Sequence, residues 1–436
     1  MADVNPGRIA SAVLMLDAWL DTARGLGGYG GPVTHWWQHC LLFTGAGLDW
    51  RYEGIIAGYL NLFEATGDTR WLDKARRAGD DLVNGQLTTG TYRNSSFERN
   101  PYTGGTPHEA GCDVALLLLA QTLQDRGDDG WQSYAATAER NLEAFILGVL
   151  WNLQEQRFDN TADDASFVPN KAATTVEALI VWDEWAHKPD IVQTCVVLTL
   201  DAIAASQVHK DGSFFDGAIP QRATAIPGGT HYFPFYIARC IPALVQGCKL
   251  LGESRYLDAA KRALSFILRQ QLPDGSFPQV IYANGRVNRQ PRWIAGAAEI
   301  LRAAEAVGEA SGQDEDLCLS RALDWLLHGQ LPSGGFRTAA GFAAQVSQRT
   351  PPSTPDFADL LPVCGWNSMV LRYLSKHVDV ATLNAAHSEI PPAVKEPCFF
   401  NGRKAYYCED IHTIKVHWDQ NTLYCWEKGK PWASLH

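Results

Sequence analysis

The sequence predicts an all-α chain of six helical hairpins, closed into one domain and followed by a small β appendage. Three observations carry that prediction. Amphipathic helices alternate along the chain with helices that are apolar on every face. Short connections alternate with long ones, and the long ones are loaded with Trp, Tyr, Arg, His and Asp. A phrase also recurs: Gln-Leu-Pro-Asp-Gly-Ser-Phe at 271–277 and Gln-Leu-Pro-Ser-Gly-Gly-Phe at 330–336. Gln-Val-His-Lys-Asp-Gly-Ser-Phe at 207–214 repeats it with one extra residue, and Gln-Leu-Thr-Thr-Gly-Thr-Tyr at 86–92 is a weaker copy. Internal repetition of this kind marks a fold made by stacking one supersecondary unit.

The first helix runs from about Gly7 to Arg24, with Ile9, Val13, Leu16 and Leu20 at helical spacing and Gly25 as its stop. A Gly-rich loop at 27–32 and the dense segment His35-Trp36-Trp37-Gln38-His39-Cys40 lead to a second helix, Asp49 to Ala65. There Gly54, Ala57 and Gly58 interleave with Ile55, Ile56, Tyr59, Leu60 and Phe63, as in a helix packed on all sides. Five more pairs follow, each an amphipathic helix and then an apolar one. They are Trp71–Gln86 with Pro107–Gln121, Trp131–Trp151 with Lys171–Trp185, and Ile191–Ser206 with Phe235–Leu251. Tyr256–Gln270 with Trp293–Val307 and Asp314–Leu327 with Cys364–His377 complete the set. Successive antiparallel hairpins put all the long loops on one face, where binding residues on a rigid scaffold belong.

Within the repeated phrase, Gln can bond free carbonyls at a helix end, Gly supplies a positive-φ stop, and the aromatic plugs the loop into the core. Beyond His377 the pattern changes, as Pro391-Pro392 and Pro397 interrupt the helices. Residues 399–407, with Asn401-Gly402 as the turn, read as one β-hairpin, and His412–Trp418 with Leu423–Trp426 as another. The expected division is a helical domain over 1–378 and a tail over 379–436 packed on it.

Hydrophobic residues make up 46% and charged residues 19% of the 436, a globular composition. The formal charge of −11 argues against a nucleic-acid footprint, which needs a basic face. Ten scattered Cys without a Cys-x-x-Cys pair read as reduced thiols. Met1–Pro6 lacks the pattern of a signal peptide, and no apolar stretch approaches the roughly 20 residues of a membrane-spanning helix. A cytoplasmic protein is expected.

Six hairpins with apolar inner helices, together with the Gln-x-x-x-Gly-x-aromatic phrase, resemble the (α/α)6 toroid over roughly Gly7 to His377. Two groups share that likeness. One comprises the six-hairpin glycoside hydrolases and toroidal polysaccharide lyases; the other is the triterpene cyclase and prenyltransferase group. The first resemblance implies a carbohydrate-active enzyme that cleaves an oligo- or polysaccharide at the long-loop end, by hydrolysis or by β-elimination. The alternatives are a terpenoid cyclase and a non-catalytic glycan-binding protein.

Asp49 and Asp113 start the first two inner helices, and six-hairpin unsaturated-uronyl hydrolases resemble this in placing two catalytic Asp on the inner rim. Flanking a glycosidic bond, one carboxyl serves as acid and the other as base or nucleophile. Acidic residues at helix N-termini are also favoured by the macrodipole alone. His231-Tyr232, at the mouth of the fourth inner helix, resembles the base–acid pair of many toroidal lyases, which eliminate next to a uronate and need cationic or amide groups on its carboxylate. Arg93, Arg99, Arg157, Arg222, Arg286, Arg289 and Arg292 in the long loops suggest an anionic substrate. Trp50, Trp293 and Trp366 near inner-helix mouths can stack on sugar rings. His35-x3-His39 has metal-ligand spacing, but no further ligand is identifiable, and His35 and Trp36 read as sugar contacts. The expected contact set is therefore His35, Trp36, Trp50, Arg93, His108, Arg292, Trp293 and Trp366, with no cofactor or metal. Asp163-Asp164 is similar to part of the acidic motif of terpene cyclases, with the full run of acids missing.

Overall fold

Each apolar segment of the sequence becomes an inner helix of a closed ring, and each amphipathic one an outer helix covering it. The structure, a computed structural model, describes residues 6–25, 27–33, 42–44, 46–96, 102–223, 230–312, 316–331, 333–341, 362–389, 398–400, 403–407, 413–418, 422–427 and 433–435. The outer helices are α1 (Pro6–Ala23), α3 (Thr69–Gly85), α5 (Trp131–Asn141), α7 (Pro189–Ser206), α9 (Ser254–Arg269) and α11 (Asp316–His328). The inner helices are α2 (Arg51–Thr66), α4 (Ala110–Asp125), α6 (Pro169–Ala186), α8 (Pro234–Leu251), α10 (Ala297–Ser311) and α12 (Cys364–Leu374). Inner helices touch in sequence, α2 on α4, α4 on α6, α6 on α8, α8 on α10 and α10 on α12, and α12 packs back on α2 to close the ring.

Sequence explains both layers. Buried Trp71, Leu72, Ala75, Ala78, Gly79 and Leu82 form one stripe along α3, whose start is capped by Asp68 accepting the Arg70 N–H at 3.0 Å. On α4 the residues Leu116, Leu117 and Leu119 are fully buried, each side chain contributing about 1.5–3 kcal/mol. The ring closes on small residues: a Cβ on Gly54 would lie 2.3 Å from the Ser368 backbone, and one on Gly58 would lie 2.6 Å from Leu371. Those two glycines let α2 and α12 approach closely. Helix α5 continues as a π-helix over Leu142–Leu150, which ends where a short strand begins at Trp151.

The repeated phrase turns out to be a staple between neighbouring outer helices. The Gln86 amide donates to its own loop at Gly90 O (3.0 Å) and to Thr137 O on α5 (2.7 Å). Gln330 does the same with Gly334 O and with Ala12 O on α1, both at 2.8 Å, so the last outer helix is tied to the first. The carbonyls bonded are thus mid-helix carbonyls of the next helix, beyond the sequence expectation of free ones at a helix end. Gly334 has φ +99°, and a Cβ there would sit 2.0 Å from Met15 O, so both conformation and space require glycine.

The copy at 207–214 needs correcting. Gln207 donates to Gly217 O (3.1 Å) and to Ala259 O on α9 (2.9 Å), so Gly217, and not Gly212, is the equivalent of Gly90. Ile219 is buried in the plug position, while Phe214 stays exposed. This copy carries a longer insertion than alignment of the letters suggests, since Gln207 and Gly217 lie ten apart where Gln86 and Gly90 lie four apart.

Helix α13 (Val380–Glu389) packs on α1 after the ring is complete. The tail's two expected hairpins form one antiparallel sheet of consecutive strands: Cys398–Phe400, Arg403–Tyr407, Thr413–Trp418, Thr422–Glu427 and Ala433–Leu435. Among the described residues α7 alone is long and apolar enough to cross a membrane (18 residues, mean hydropathy 1.3), where the sequence predicts no such stretch. It packs against α6 and α8 as part of the outer ring.

Candidate active site at the mouth of the toroid

All six inner helices begin at the long-loop end, and residues in or just before their first turns line a funnel. Its outer chamber, about 1260 Å³, is walled by the loops after α3, α5 and α7, with Thr91, Tyr102, Asn160, Asp163, Lys171 and Arg222 among its lining. It narrows to a deep pocket of about 40 Å³ walled by Trp50, Phe235, Trp366 and Met369, with Glu53, Arg239 and Glu299 also lining it. His108, Asn170 and Tyr236 line both compartments and so stand at their junction.

Local sequence sets these positions. Asn170-Lys171 and Phe235-Tyr236 follow Pro169 and Pro234, each at the first helical position, where a missing N–H costs nothing and φ is already helical. His108 sits in a 3-10 turn, Pro107–Glu109, that leads into α4. Gly111 brings α4 close to α2: a Cβ there would meet Glu53 Oε2 and Trp50 Cα, both at 3.1 Å. The aromatic wall is continuous. Trp50 meets Trp366 edge-on at 5.3 Å between centroids, and Phe235 meets Trp366 edge-on at 5.7 Å.

Below the pocket lies a buried network of three glutamates and three arginines drawn from five of the inner helices. Glu53 (α2) accepts from Arg239 (α8) at 2.5 Å and from Arg372 (α12). Glu177 (α6) accepts from Arg302 (α10) at 3.1 and 3.3 Å, and Glu299 (α10) from Arg302 at 3.3 Å. Arg239 also lies 3.7 Å from Glu177 and 3.8 Å from Glu299. Burial alone would raise the Glu177 pKa, but Arg239, Arg302 and Arg372 override it and hold it at about 2. The same contest, won by Arg302, Arg239 and Arg372, leaves Glu299 below its usual range. Equal numbers of each sign make this network tolerable where an unpaired charge would not be.

Of the residues singled out from sequence, Trp50, His108 and Trp366 line the deep pocket. Trp293 backs that wall, stacked on Trp366 at 5.8 Å. The others stand elsewhere. Asp49 is buried and held bidentately by Arg51, with Nε and Nη2 each donating at 2.8 Å. Asp113 is fully buried and accepts from Tyr92 Oη at 2.8 Å, and burial pushes its pKa well up. Neither is among the residues that line the funnel. The same holds for His231 and Tyr232. The His231 ring packs edge-on against Tyr282 at 5.1 Å, and burial with the Arg286 charge lowers its pKa. Tyr232 is buried between Phe215 and Phe266 of α9, on the outward side. Arg93 is exposed, and Arg292 pairs with Asp274 beside Trp325. Of the remaining loop arginines, Arg222 lines the chamber, whereas Arg157 pairs with Glu155 at 3.3 Å and Arg286 lies over Tyr282. His35, Trp36, His39, Cys40 and Arg99 lie outside the described residues. Among the described residues no group of three His, Cys, Asp or Glu is arranged to hold a metal ion.

Three residues at the junction or its rim, Asn170, Lys171 and Tyr236, escaped the sequence reading. Their signal was the proline that opens α6 and α8, which marks the mouth. The six-charge network had a signal too, since charged letters inside helices apolar all round must find partners of opposite sign.

No protein-family model matches the sequence, and no curated protein matches it. Solved structures do. D-mannose isomerase superposes with a TM-score of 0.62 at 12% identity, over 84% of this chain and 96% of that one. The unsaturated glucuronyl hydrolase of Bacillus sp. GL1 gives 0.59 at 14% identity, over 84% and 95%. A polysaccharide lyase gives 0.55 at 11% identity, over 89% and 99%. At these identities the likeness is one of fold, and that fold is the (α/α)6 toroid.

Proposed function

We propose that this protein is a carbohydrate-active enzyme that cleaves a uronate-containing glycan by β-elimination at the junction of the funnel. The observation that carries this reading is the sharing of His108, Asn170 and Tyr236 by the chamber and the deep pocket. Those three bring together a base, an amide and a phenol, the set elimination next to a carboxylate requires. His108 takes the C5 proton of the uronate, the electron pair forms the C4–C5 double bond, and the C4–O4 bond breaks. Tyr236 gives its proton to the departing O4, and solvent restores both side chains. Base and acid steps of this type contribute about 10²–10⁴-fold each.

Charge developing on the uronate carboxylate needs donors. Asn170 supplies an amide, and Lys171 and Arg222 line the chamber beside it. Lys171 donates to Asn160 Oδ1 at 3.0 Å, and Arg222 lies 3.3 Å from Asp164, a contact that uses part of its five N–H groups. The inner-helix N-termini converging on the funnel favour an anion as well. A polysaccharide lyase and an unsaturated glucuronyl hydrolase among the solved structures of this fold lend support to a uronate-bearing substrate.

Hydrolysis is the weaker reading because it needs an available carboxylic acid and a carboxylate flanking the bond. Glu53 and Glu299 are salt-bridged to arginines, Asp49 and Asp113 are outside the lining, and Asp163 in the chamber wall is a single carboxylate where two are needed. A terpenoid cyclase would need a strong acid facing a dry cavity. Asp164, although burial alone would raise it, is held at about 2 by hydrogen bonds from Asn160 and Ser166 and by Arg222, and so stays ionised. Free thiols at Cys112, Cys195, Cys240, Cys248 and Cys364 support a reducing compartment such as the cytoplasm. The test is incubation with pectate, alginate, hyaluronan, heparin and glucuronoxylan. Far-ultraviolet absorbance from an unsaturated uronate is expected with at least one. Reducing ends without that absorbance would favour hydrolysis, and binding without either would favour a glycan-binding protein.

A further inference from the structure

We propose that the deep pocket is a subsite for an uncharged sugar, held through its hydroxyl groups, next to the uronate that reacts. The inference rests on the proposed sugar site but not on the elimination step. The floor and walls offer donors and acceptors together. Arg239 lines the pocket and is 7% exposed; its Nη1 lies 3.8 Å from Glu299 Oε1 and makes no hydrogen bond among the described residues. Trp366 lines it too, is equally buried at 7%, and its Nε1 likewise makes no such bond among the described residues. Buried N–H groups left without a hydrogen bond have donor capacity to offer a ligand. Beside them stand the carboxylates of Glu53 and Glu299, which are acceptors only.

A hydroxyl, which donates and accepts, suits such a mixed set; a carboxylate, which only accepts, does not. Charge leads to the same choice. Three arginines already balance three glutamates within the network, so a further anion would lie against Glu53 and Glu299 without a cation to spare. Like charges juxtaposed in a desolvated site are strongly unfavourable. Size narrows it further. A water needs roughly 10–15 Å³ of such space, so about 40 Å³ takes the exocyclic arm or one edge of that sugar, with the rest of its ring at the junction. Apolar faces of Trp50, Phe235 and Met369 cover the C–H side of that edge. The uronate is thereby assigned to the chamber, near Lys171 and Arg222, and an uncharged neighbour to the deep end.

Tryptophan emission reads this pocket directly, because Trp50 and Trp366 are in its wall. The full chain is titrated with galactose, mannose and N-acetylglucosamine, and separately with galacturonate and glucuronate. At least one neutral sugar is expected to change the emission saturably, with the uronates at least about tenfold weaker. Trp366→Phe, which keeps an aromatic face and removes the N–H, should weaken the neutral sugar several-fold with thermal unfolding unchanged. Uronates binding as tightly as neutral sugars would overturn the proposal, as would no neutral sugar binding at all. Unsaturated product forming in either case would leave the elimination reading intact. Neutral sugar binding with no unsaturated product from any glycan would sink elimination and leave this subsite standing.

Discussion

Replacing Glu177 with Gln tests whether the buried charge network holds the ring together. Glu177 is 1% exposed, and Arg239, Arg302 and Arg372 hold its pKa at about 2 against an ordinary 4.5. At about 1.4 kcal/mol per unit, that difference corresponds to about 3 kcal/mol of stability, close to the cost of breaking a buried pair by removing one partner. The direction is fixed by linkage. A carboxylate whose folded pKa is depressed contributes stability that is present above its unfolded pKa and is lost as pH falls through the folded one. Glu177→Gln should therefore unfold at lower urea than the parent at pH 7 and pH 5, with a gap of about 3 kcal/mol. The gap should shrink between about pH 4.5 and pH 2, as the parent loses the charge the variant never had. A gap under about 1 kcal/mol at pH 7, or one equally large at pH 2.5, would refute the claim that charge at this position stabilises the ring.

Further expectations follow from other sites. Burial raises Glu109 to about 7, opposed by bonds from the Tyr92 N–H, Ser95 and Asn141, so here the sign reverses: stability present at low pH is lost as pH rises through about 7. Glu109→Gln should remove that loss, read as a flatter melting temperature between pH 5 and pH 8. Gly334→Ala should cost several kcal/mol, because its Cβ would strike Met15 O at positive φ, whereas Gly67→Ala, with open space around it, should cost only about 1 kcal/mol in urea unfolding. Lys171→Ala and Arg222→Ala should raise KM for a uronate glycan with little change in kcat, and the effect should fade with added salt.

Architecture was legible because it is written redundantly. Helix periodicity, loop alternation and the Gln–Gly staple each predict the six hairpins, and the staple proves to join one outer helix to the next. Where a single letter pattern had to decide, it failed: Gly212 fits the phrase by spelling, yet the backbone bonds select Gly217. The site was legible only in outline. Trp50, His108 and Trp366, picked out as aromatic and imidazole side chains near inner-helix mouths, line the deep pocket. Asp49 and Asp113 stand at the helix starts that sequence predicts, but the direction of a side chain depends on which partner captures it in the packed fold. Arg51 captures the one and Tyr92 the other. Asn170 and Tyr236 are ordinary residues in sequence, and only closure of the ring brings them beside His108. The charge network crosses five helices, with Arg372 bonding Glu53 from 319 positions away, so no local window could have disclosed its pairing.

The most direct measurement is the rate of unsaturated-uronate formation by the parent, His108→Ala and Tyr236→Phe on whichever glycan the panel identifies. The proposed chemistry predicts absorbance with the parent and a loss of about 10²–10⁴-fold in kcat for each variant, with melting temperatures unchanged. Both variants forming the product at the parental rate would contradict it.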